Sequence, residues 1–318
     1  MSSPPLAPTC DSAAAIGMSP AKESRLDGGT LAIVVVTVII WASAFAAIRA
    51  GLQAFGPLEL GAARFSIAAV PAGLYLLMSR PALPRLAEVW RFAAGGLLFV
   101  ALYTALLNLG ERTVPAGAAA FIININPIIT AVLASFLLGE RFGRWGWVGT
   151  AVSFSGIGLI ALNEAIGNGA AGGGAGLRLG WGALLVLGAA LCNSITTVVQ
   201  KPLFARHKAL TVSASNMVIG ALALSPWLPG AYAQAQAAPV PGLMAALYLG
   251  IMPSLVAYAT WSVVLSRMPA ARASNFLYCA PPLAMLLGYL WLGEVPTVMG
   301  IIGGLMALGG VAVVNLKR

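Results

Sequence analysis

The sequence predicts an all-α membrane protein of ten transmembrane helices arranged as two inverted five-helix repeats. Three observations carry this. The 318-residue chain is 59% hydrophobic and 8% charged, with a mean hydropathy of +0.90. A soluble domain carries roughly a quarter of its residues as Asp, Glu, Lys and Arg. This chain cannot cover a water-facing surface, so its solvent must be lipid. Apolar stretches of membrane-spanning length recur ten times, and the second half repeats features of the first at a fixed offset.

A helix of roughly 20 apolar residues crosses about 30 Å of hydrocarbon. Stretches that meet or approach this length lie near 30–50, 57–79, 90–110, 114–138, 145–162, 179–199, 210–228, 242–265, 270–292 and 296–315. The tight connections Glu111–Val114 and Glu294–Pro296 make their flanking helices antiparallel neighbours. Residues 1–29 are Ser/Pro/Ala-rich and lack a basic start followed directly by an apolar core. They read as a disordered cytoplasmic tail rather than a cleaved signal peptide. Residues 163–178 include the Gly-rich stretch Gly167–Gly176 and read as a flexible linker. It separates a first five-helix repeat, 30–162, from a second, 179–316.

Basic residues set the orientation. With the N-terminus inside, the cytoplasmic set is Lys22, Arg25, Arg80, Arg85, Arg91, Arg141, Arg144, Lys201, Arg206, Lys208, Arg267, Arg272, Lys317 and Arg318, fourteen of the 18. The outer side receives Arg49, Arg112 and Arg178, and Arg64 falls within the second span. Cytoplasmic loops collect Lys and Arg, so both termini are expected in the cytoplasm. The net charge of +9 is then a matter of orientation and anionic lipid rather than nucleic-acid binding.

At an offset of 154 residues, Pro115 matches Pro269, Pro127 matches Pro281, and Leu138-Gly139-Glu140 matches Leu292-Gly293-Glu294. Gly146, Gly149 and Gly156 fall on Gly300, Gly303 and Gly310. The match is confined to the fourth and fifth helices of each half. Five spans per half is an odd number, so the second copy enters the membrane inverted. Inverted repeats are a recurring plan of secondary transporters, with substrate held near the midplane between the halves.

The rare residues exclude other chemistry. His207 is the single histidine, and both aspartates, Asp11 and Asp27, lie in the tail. No HExxH site, His-based triad or His/Cys metal cluster can be built from that stock. No catalytic residue, metal or cofactor is predicted. Cys10, Cys192 and Cys279 share no metal-ligand spacing or disulfide framework. Cys192 and Cys279 lie inside apolar runs and read as packed small residues. No GxxxxGK[ST] loop is present for ATP hydrolysis. Gly156–Ala161 imitates part of a dinucleotide fingerprint, but inside a span and without a preceding strand.

Leu-Gly-Glu at the ends of spans four and nine, Trp41-Ala-Ser-Ala-Phe45 in span one and Ala63-Arg64-Phe65 in span two resemble EamA-type members of the drug/metabolite transporter superfamily. Asn126-Pro127-Ile128 and Ala280-Pro281-Pro282 fit the same pattern. The resemblance covers roughly 30–316. It implies ten helices, a bacterial inner-membrane location and export of small metabolites. The neutral and aromatic amino-acid exporters are the most similar members.

Candidate site residues follow from polarity at membrane depth, where ionisable groups are costly and functional. No Asp, Glu, Lys or His lies near the middle of a predicted span. A cationic cargo would need a buried carboxylate there, so a neutral or zwitterionic cargo fits better. Glu59, Glu140 and Glu294 sit at span ends and read as caps or interfacial pairs. Arg64 can hold a substrate carboxylate bidentately, snorkel to headgroups or pair with Glu59; the three readings stand open. Asn124 and Asn126 precede Pro127, and Asn275 and Tyr278 precede Pro281. Proline frees the carbonyl four residues back, near Ile123 and Leu277, which makes Pro127 and Pro281 hinge candidates. Ser43, Asn108, Asn193, Ser194, Thr196 and Thr197 add hydrogen-bonding groups, and Trp41, Tyr103, Tyr258 and Trp261 can form walls for an aromatic cargo. Gly300-xxx-Gly304, Gly303-xxx-Ala307 and Gly149-xxx-Ser153 are faces for close helix packing, within one chain or between two. Monomer and homodimer both stay open, as do proton coupling and facilitated diffusion.

Three rivals have distinct requirements. A sugar-phosphate or nucleotide-sugar exchanger needs several mid-span basic residues, and a cationic-drug exporter of the same superfamily needs the buried carboxylate. A lipid-modifying membrane enzyme needs clustered Asp, Glu or His near one interface. A non-catalytic assembly factor should lack a polar cavity between the halves.

Overall fold

The computed structural model describes residues 28–138, 144–172, 180–267, 273 and 276–316. Glu140, Asn275, Cys10, residues 1–27 and linker residues 173–178 lie outside the described residues, whereas residues 163–172, expected to belong to a flexible linker, continue the helix Arg144–Gly172. Among the described residues every regular element is helical. Seven helices are long and apolar enough to cross a membrane: Gly28–Gly51, Pro57–Ser79, Leu86–Gly110, Arg144–Asn163, Trp181–Ala205, Ala209–Ala237 and Val240–Val264. Three shorter apolar helices, Ala116–Thr130, Leu277–Leu292 and Val298–Val313, stand fourth, ninth and tenth in chain order. All ten are called segments one to ten below. Helix is what lipid demands, because it satisfies every interior backbone N–H and C=O without water.

Burial runs opposite to that of a soluble protein. Val70, Leu74, Leu77, Leu290, Trp291 and Leu305 are exposed on the bundle surface, whereas Ala42, Ala46, Ala68, Ala119, Ala120 and Ala189 are buried. Lipid tails are as apolar as leucine, so large side chains gain little by turning inward. Small ones let backbones approach. Cys279, predicted to pack inside, is exposed, while Cys192 is buried as predicted.

The segments pack mainly across the two halves. Segment one lies against eight and nine, two against seven and eight, three against six and seven, four against six and nine, and five against ten. Exchanging one for six, two for seven, three for eight, four for nine and five for ten maps these pairings onto themselves.

Three departures from regular helix shape the interior. Segment three is π-helical over Gly95–Leu102, and segment eight over Met252–Val256. The second stretch equals 98–102 plus the 154-residue offset, so the two π-helical stretches overlap at the offset that relates segments four and nine. Segment four is interrupted just before Pro127, between helices Ala116–Ile123 and Asn126–Leu138. Its ninth-segment counterpart begins with a 3₁₀ turn, Leu277–Cys279, immediately before Ala280 and Pro281. Segment seven runs past its predicted end at 228 to Ala237, bending through the 3₁₀ turn Ser225–Trp227 that Pro226 and Pro229 frame.

The glycine faces of segments five and ten meet within one chain. A Cβ on Gly156 would lie 2.4 Å from the Gly303 oxygen, and one on Gly303 would lie 2.6 Å from the Gly156 oxygen. Ser153 Oγ donates to the Ala307 carbonyl at 2.7 Å. Gly158, two residues on, has open space around it. Gly156→Val should therefore cost roughly 1–3 kcal/mol through overpacking, whereas Gly158→Ala should stay within about 1 kcal/mol of wild type. Thermal unfolding of the two purified variants in one detergent checks this. Equal melting temperatures would contradict the packing account.

Candidate functional site: a cavity among segments two, three, six, seven and eight

A cavity of ≈ 570 Å³ opens at the end of the bundle that carries Lys208, Arg206 and Arg91. Segment six contributes Asn193, Thr196, Thr197 and Gln200, segment seven Ser213 and Asn216, and segment eight Tyr258, Trp261 and Ser262. It narrows toward Arg64, Phe99, Tyr103 and Tyr258, which share Ser213 and Asn216 with the wider part or border them.

The aromatic wall is one connected cluster. Trp41 meets Tyr258 edge-on with ring centroids 5.6 Å apart and Trp261 at 5.2 Å. Phe99 stands 5.7 Å from Tyr103 and 6.0 Å from Tyr258. Trp41 Nε1 donates to the Pro253 carbonyl at 3.3 Å, which leaves the ring faces as packing surface.

Arg64 terminates the cavity and is buried at 9% exposure. Its position follows from a proline. Pro253 has no N–H, so the Leu249 carbonyl lacks its helical partner. Ser254 Oγ donates to that carbonyl at 2.9 Å and accepts Arg64 Nε at 2.9 Å. The guanidinium also lies over Phe65, 5.0 Å from the ring centroid. Among the described residues no carboxylate pairs with Arg64. Glu59 instead packs against Gly56 and Gly230.

A second polar group faces the cavity. Gln200 and Asn216 exchange two amide hydrogen bonds, at 2.9 and 3.0 Å, and Gln200 Nε2 also donates to the Arg91 carbonyl at 3.2 Å. A Cβ on Gly95 would sit 1.9 Å from Gln200 Nε2. A side chain where segment three begins its π-helical stretch would therefore have to displace the Gln200–Asn216 amide pair. At the mouth, Glu88 accepts Arg206 and lies 3.3 Å from His207 Nε2.

The opposite end is closed by ionic contacts. Arg49 Nε donates to Glu294 Oε1 at 2.7 Å, and its Nη1 donates to the Glu111 carbonyl. Glu294 Oε2 accepts the Ala116 N–H at 2.9 Å, capping segment four. Gly293, at φ +67°, makes this reach possible. Its left-handed conformation, open to glycine at no steric cost, ends segment nine and turns Glu294 back across the bundle. Glu294 is therefore both the cap and the ion-pair partner that a span-end carboxylate can be.

Of the residues singled out from sequence, the structure brings Trp41, Arg64, Tyr103, Asn193, Thr197, Tyr258 and Trp261 to the cavity or its aromatic wall. Five stand elsewhere. Ser43 is buried against the Ile40 carbonyl and the Tyr248 hydroxyl. Asn108 ties segment three to segment two by donating to the Pro57 carbonyl at 2.7 Å. Asn124 bonds back to Ala120 in its own helix, and Asn126 accepts Ser194 Oγ. Tyr278 packs half-buried against the core. The lining also includes Phe99, Gln200, Phe204, His207 and Asn216, which were not singled out. An amide amid apolar sequence was the available signal for Asn216 and Gln200.

A helical membrane bundle with a polar and aromatic cavity open at one end and closed by an ionic cluster at the other is the architecture of a transporter. The EamA-like transporter family matches this chain twice, over residues 29–162 and 180–316, and the chain belongs to that family. A probable terminal-alkyne amino-acid exporter of Streptantibioticus cattleyicolor is 35% identical, covering 89% of this chain and 92% of its own. An uncharacterized transporter of Bacillus subtilis, YdfC, is 32% identical over 87% of this chain and 88% of its own. The uncharacterized inner membrane transporter YedA of Escherichia coli is 28% identical over 79% and 78%. A crystal structure 22% identical in sequence shares the fold, with a TM-score of 0.58 over 91% of this chain and 99% of its own.

Ser254→Ala should leave the Leu249 carbonyl and Arg64 Nε without partners and cost about 1–3 kcal/mol. Ser254→Thr, which keeps the hydroxyl, should cost less. Melting temperatures of the pair, read by fluorescence-detected gel filtration, test whether the hydroxyl or the side-chain volume matters.

Proposed function

We propose that the chain exports small neutral or zwitterionic metabolites, most plausibly amino acids including aromatic ones, by alternating access across a bacterial inner membrane. The observation that carries this is Arg64, a buried guanidinium with no carboxylate partner among the described residues, at the head of an aromatic-walled cavity. A cation so placed favours a bound carboxylate, which it can take bidentately. Trp261, Tyr258 and Phe99 offer ring faces to an apolar or aromatic side chain, and Ser213 and Asn216 offer acceptors to an amino group. Export by the Streptantibioticus relative, named for a terminal-alkyne amino acid, is consistent with a carboxylate-bearing cargo of apolar tail.

The proposed architecture is ten helices in two inverted five-helix repeats, residues 30–162 and 179–316. The twofold family match and the exchangeable set of segment pairings support it. The positive-inside rule puts the Lys208 end and both termini in the cytoplasm. In that orientation the described form faces the cytoplasm. Pro127, at the interruption of segment four, and Pro281, after the 3₁₀ turn of segment nine, serve as the hinges. A phosphate-bearing cargo fits poorly, because among the described residues Arg64 is the only basic side chain lining the narrow end.

Uptake of labelled phenylalanine, tryptophan, threonine and methionine into proteoliposomes tests the cargo. At least one should show saturable uptake absent from empty liposomes. Arg64→Met should lower its uptake efficiency roughly 10- to 150-fold, the equivalent of a charge-assisted hydrogen bond of about 1.5–3 kcal/mol. No uptake of any of the four by folded protein would overturn the amino-acid reading.

A further inference from the structure

Among the described residues, four buried side-chain atoms have no hydrogen-bond partner: Thr104 Oγ1, Asn108 Oδ1 and both carboxylate oxygens of Glu111. All three residues belong to segment three or its end, at positions i, i+4 and i+7, and so lie on one face of the helix. Exposure is 1% for Thr104, 1% for Asn108 and 0% for Glu111. Thr104 and Asn108 face segment two at Gly61, one turn from Arg64. The stripe starts beside Tyr103, at the narrow end of the cavity, and finishes at the ionic cluster that closes the opposite end.

Buried polar atoms are paired in folded proteins, and exceptions point to water, ions or chemistry. An ionised carboxylate buried without a hydrogen bond is far more costly than a neutral acid. The groups facing Glu111 are Arg49 from segment one, Arg64 from segment two, Glu294 after segment nine, and Tyr103 and Arg112 from its own stretch of chain. Arg49 is committed to Glu294 and touches only the main-chain oxygen of Glu111. Glu111 lies one residue beyond segment three. Burial pushes its carboxyl well above the usual carboxylate range, Arg49 opposes this, and Glu294 reinforces it.

We infer that Glu111 is a proton-binding site and that Asn108 and Thr104 mark the proton's route between it and the cavity, so that export of cargo is coupled to proton entry. The inference rests on the alternating-access reading above and not on which cargo is carried. With the outer end closed, Glu111 holds a proton and Arg49 stays with Glu294. Loss of that proton along the stripe to the cavity leaves a carboxylate beside Arg49, which then has two acids competing for it. The Arg49–Glu294 bond weakens and the outer end can open. There Glu111 takes a proton from outside, Arg49 returns to Glu294, and the end closes. Each cycle carries one proton inward as one cargo leaves. Lower outer pH favours the closed form, because that form binds the proton more tightly.

Two experiments on the full-length protein separate this from the cargo question. Infrared spectroscopy of wild type near neutral pH should show the C=O stretch of a protonated carboxylic acid. The band should be absent in Glu111→Gln, and its shift on transfer to D₂O should be slowed in Thr104→Val. The valine variant removes an unpartnered hydroxyl and should fold as well as wild type. Glu111→Asp keeps a carboxyl and serves if the glutamine variant does not fold. In proteoliposomes, a one-unit pH gradient should accumulate whichever of the four amino acids is transported (phenylalanine below) up to about tenfold on the acidic side for one proton per cargo. Glu111→Gln should only equilibrate it. No Glu111-dependent band, or phenylalanine transport that ignores the gradient in wild type, overturns the inference. The second result would leave the amino-acid reading standing. Absence of transport of all four amino acids, with the band present, would count against that reading alone.

Discussion

Inside a bilayer no solvent stands ready to satisfy a polar group that the fold leaves open, and the interior is arranged around that constraint. Pro253 illustrates the consequence. By removing one N–H it orphans the Leu249 carbonyl, Ser254 supplies the missing donor, and the same hydroxyl then accepts Arg64. A local backbone defect thereby fixes a buried cation at the end of the cavity. Gly95 does the same on the facing helix. Its missing side chain admits the Gln200–Asn216 amide pair against the backbone. The π-helical stretches of segments three and eight sit where these polar groups gather. Irregular backbone at membrane depth is tolerated where it lines a cavity or is buried in protein.

The same constraint decides how segments are held together. Segment four begins with unsatisfied N–H groups, and one of them, Ala116, takes the Glu294 carboxylate. That carboxylate also binds Arg49, so one side chain joins segments one, four and nine. The Leu-Gly-Glu motif reads accordingly: leucine ends the helix, glycine takes the left-handed conformation, and glutamate returns to bind a neighbouring helix end. The first-half copy ends in Glu140, which lies outside the described residues.

Much of this was legible in the sequence because composition and spacing carry it. The helix positions followed from apolar run length, and the interruption before Pro127 and the 3₁₀ turn before Pro281 from proline chemistry. The aromatic wall of Trp41, Tyr258 and Trp261 followed from rings amid apolar residues. Other features depend on which way a helix turns. Ser43, Asn108 and Asn124 are as polar as Asn193, yet they bond to backbone or to Tyr248 rather than face the cavity. Asn216 was passed over although the same rule flags it. Glu111 was read only as the start of the tight connection Glu111–Val114. Only packing against Val186 and Gly182 at Gly110, one residue earlier, shows how closely the sixth segment covers that turn. The likeness of segment three to segment eight was hidden too, because it lies in their π-helical stretches and not in residue type.

The two kinds of contact between the halves respond differently to water, and this bears on how a rocking motion would proceed. The Arg49–Glu294 bond is electrostatic. Two unit charges at 4 Å attract by about 4 kcal/mol at an effective dielectric of 20 and about 1 kcal/mol in bulk water. Water entering the Arg49–Glu294 end therefore weakens the closure roughly fourfold, and opening reinforces itself. Segments five and ten meet instead backbone to backbone, through Gly156, Gly303 and Gly310. That contact rests on dispersion and on the Ser153 bond to Ala307, buried where water has no access. In the proposed cycle, segments five and ten act as the fixed seam, and the remaining helices swing about it between an electrostatic outer closure and the opening beside Lys208.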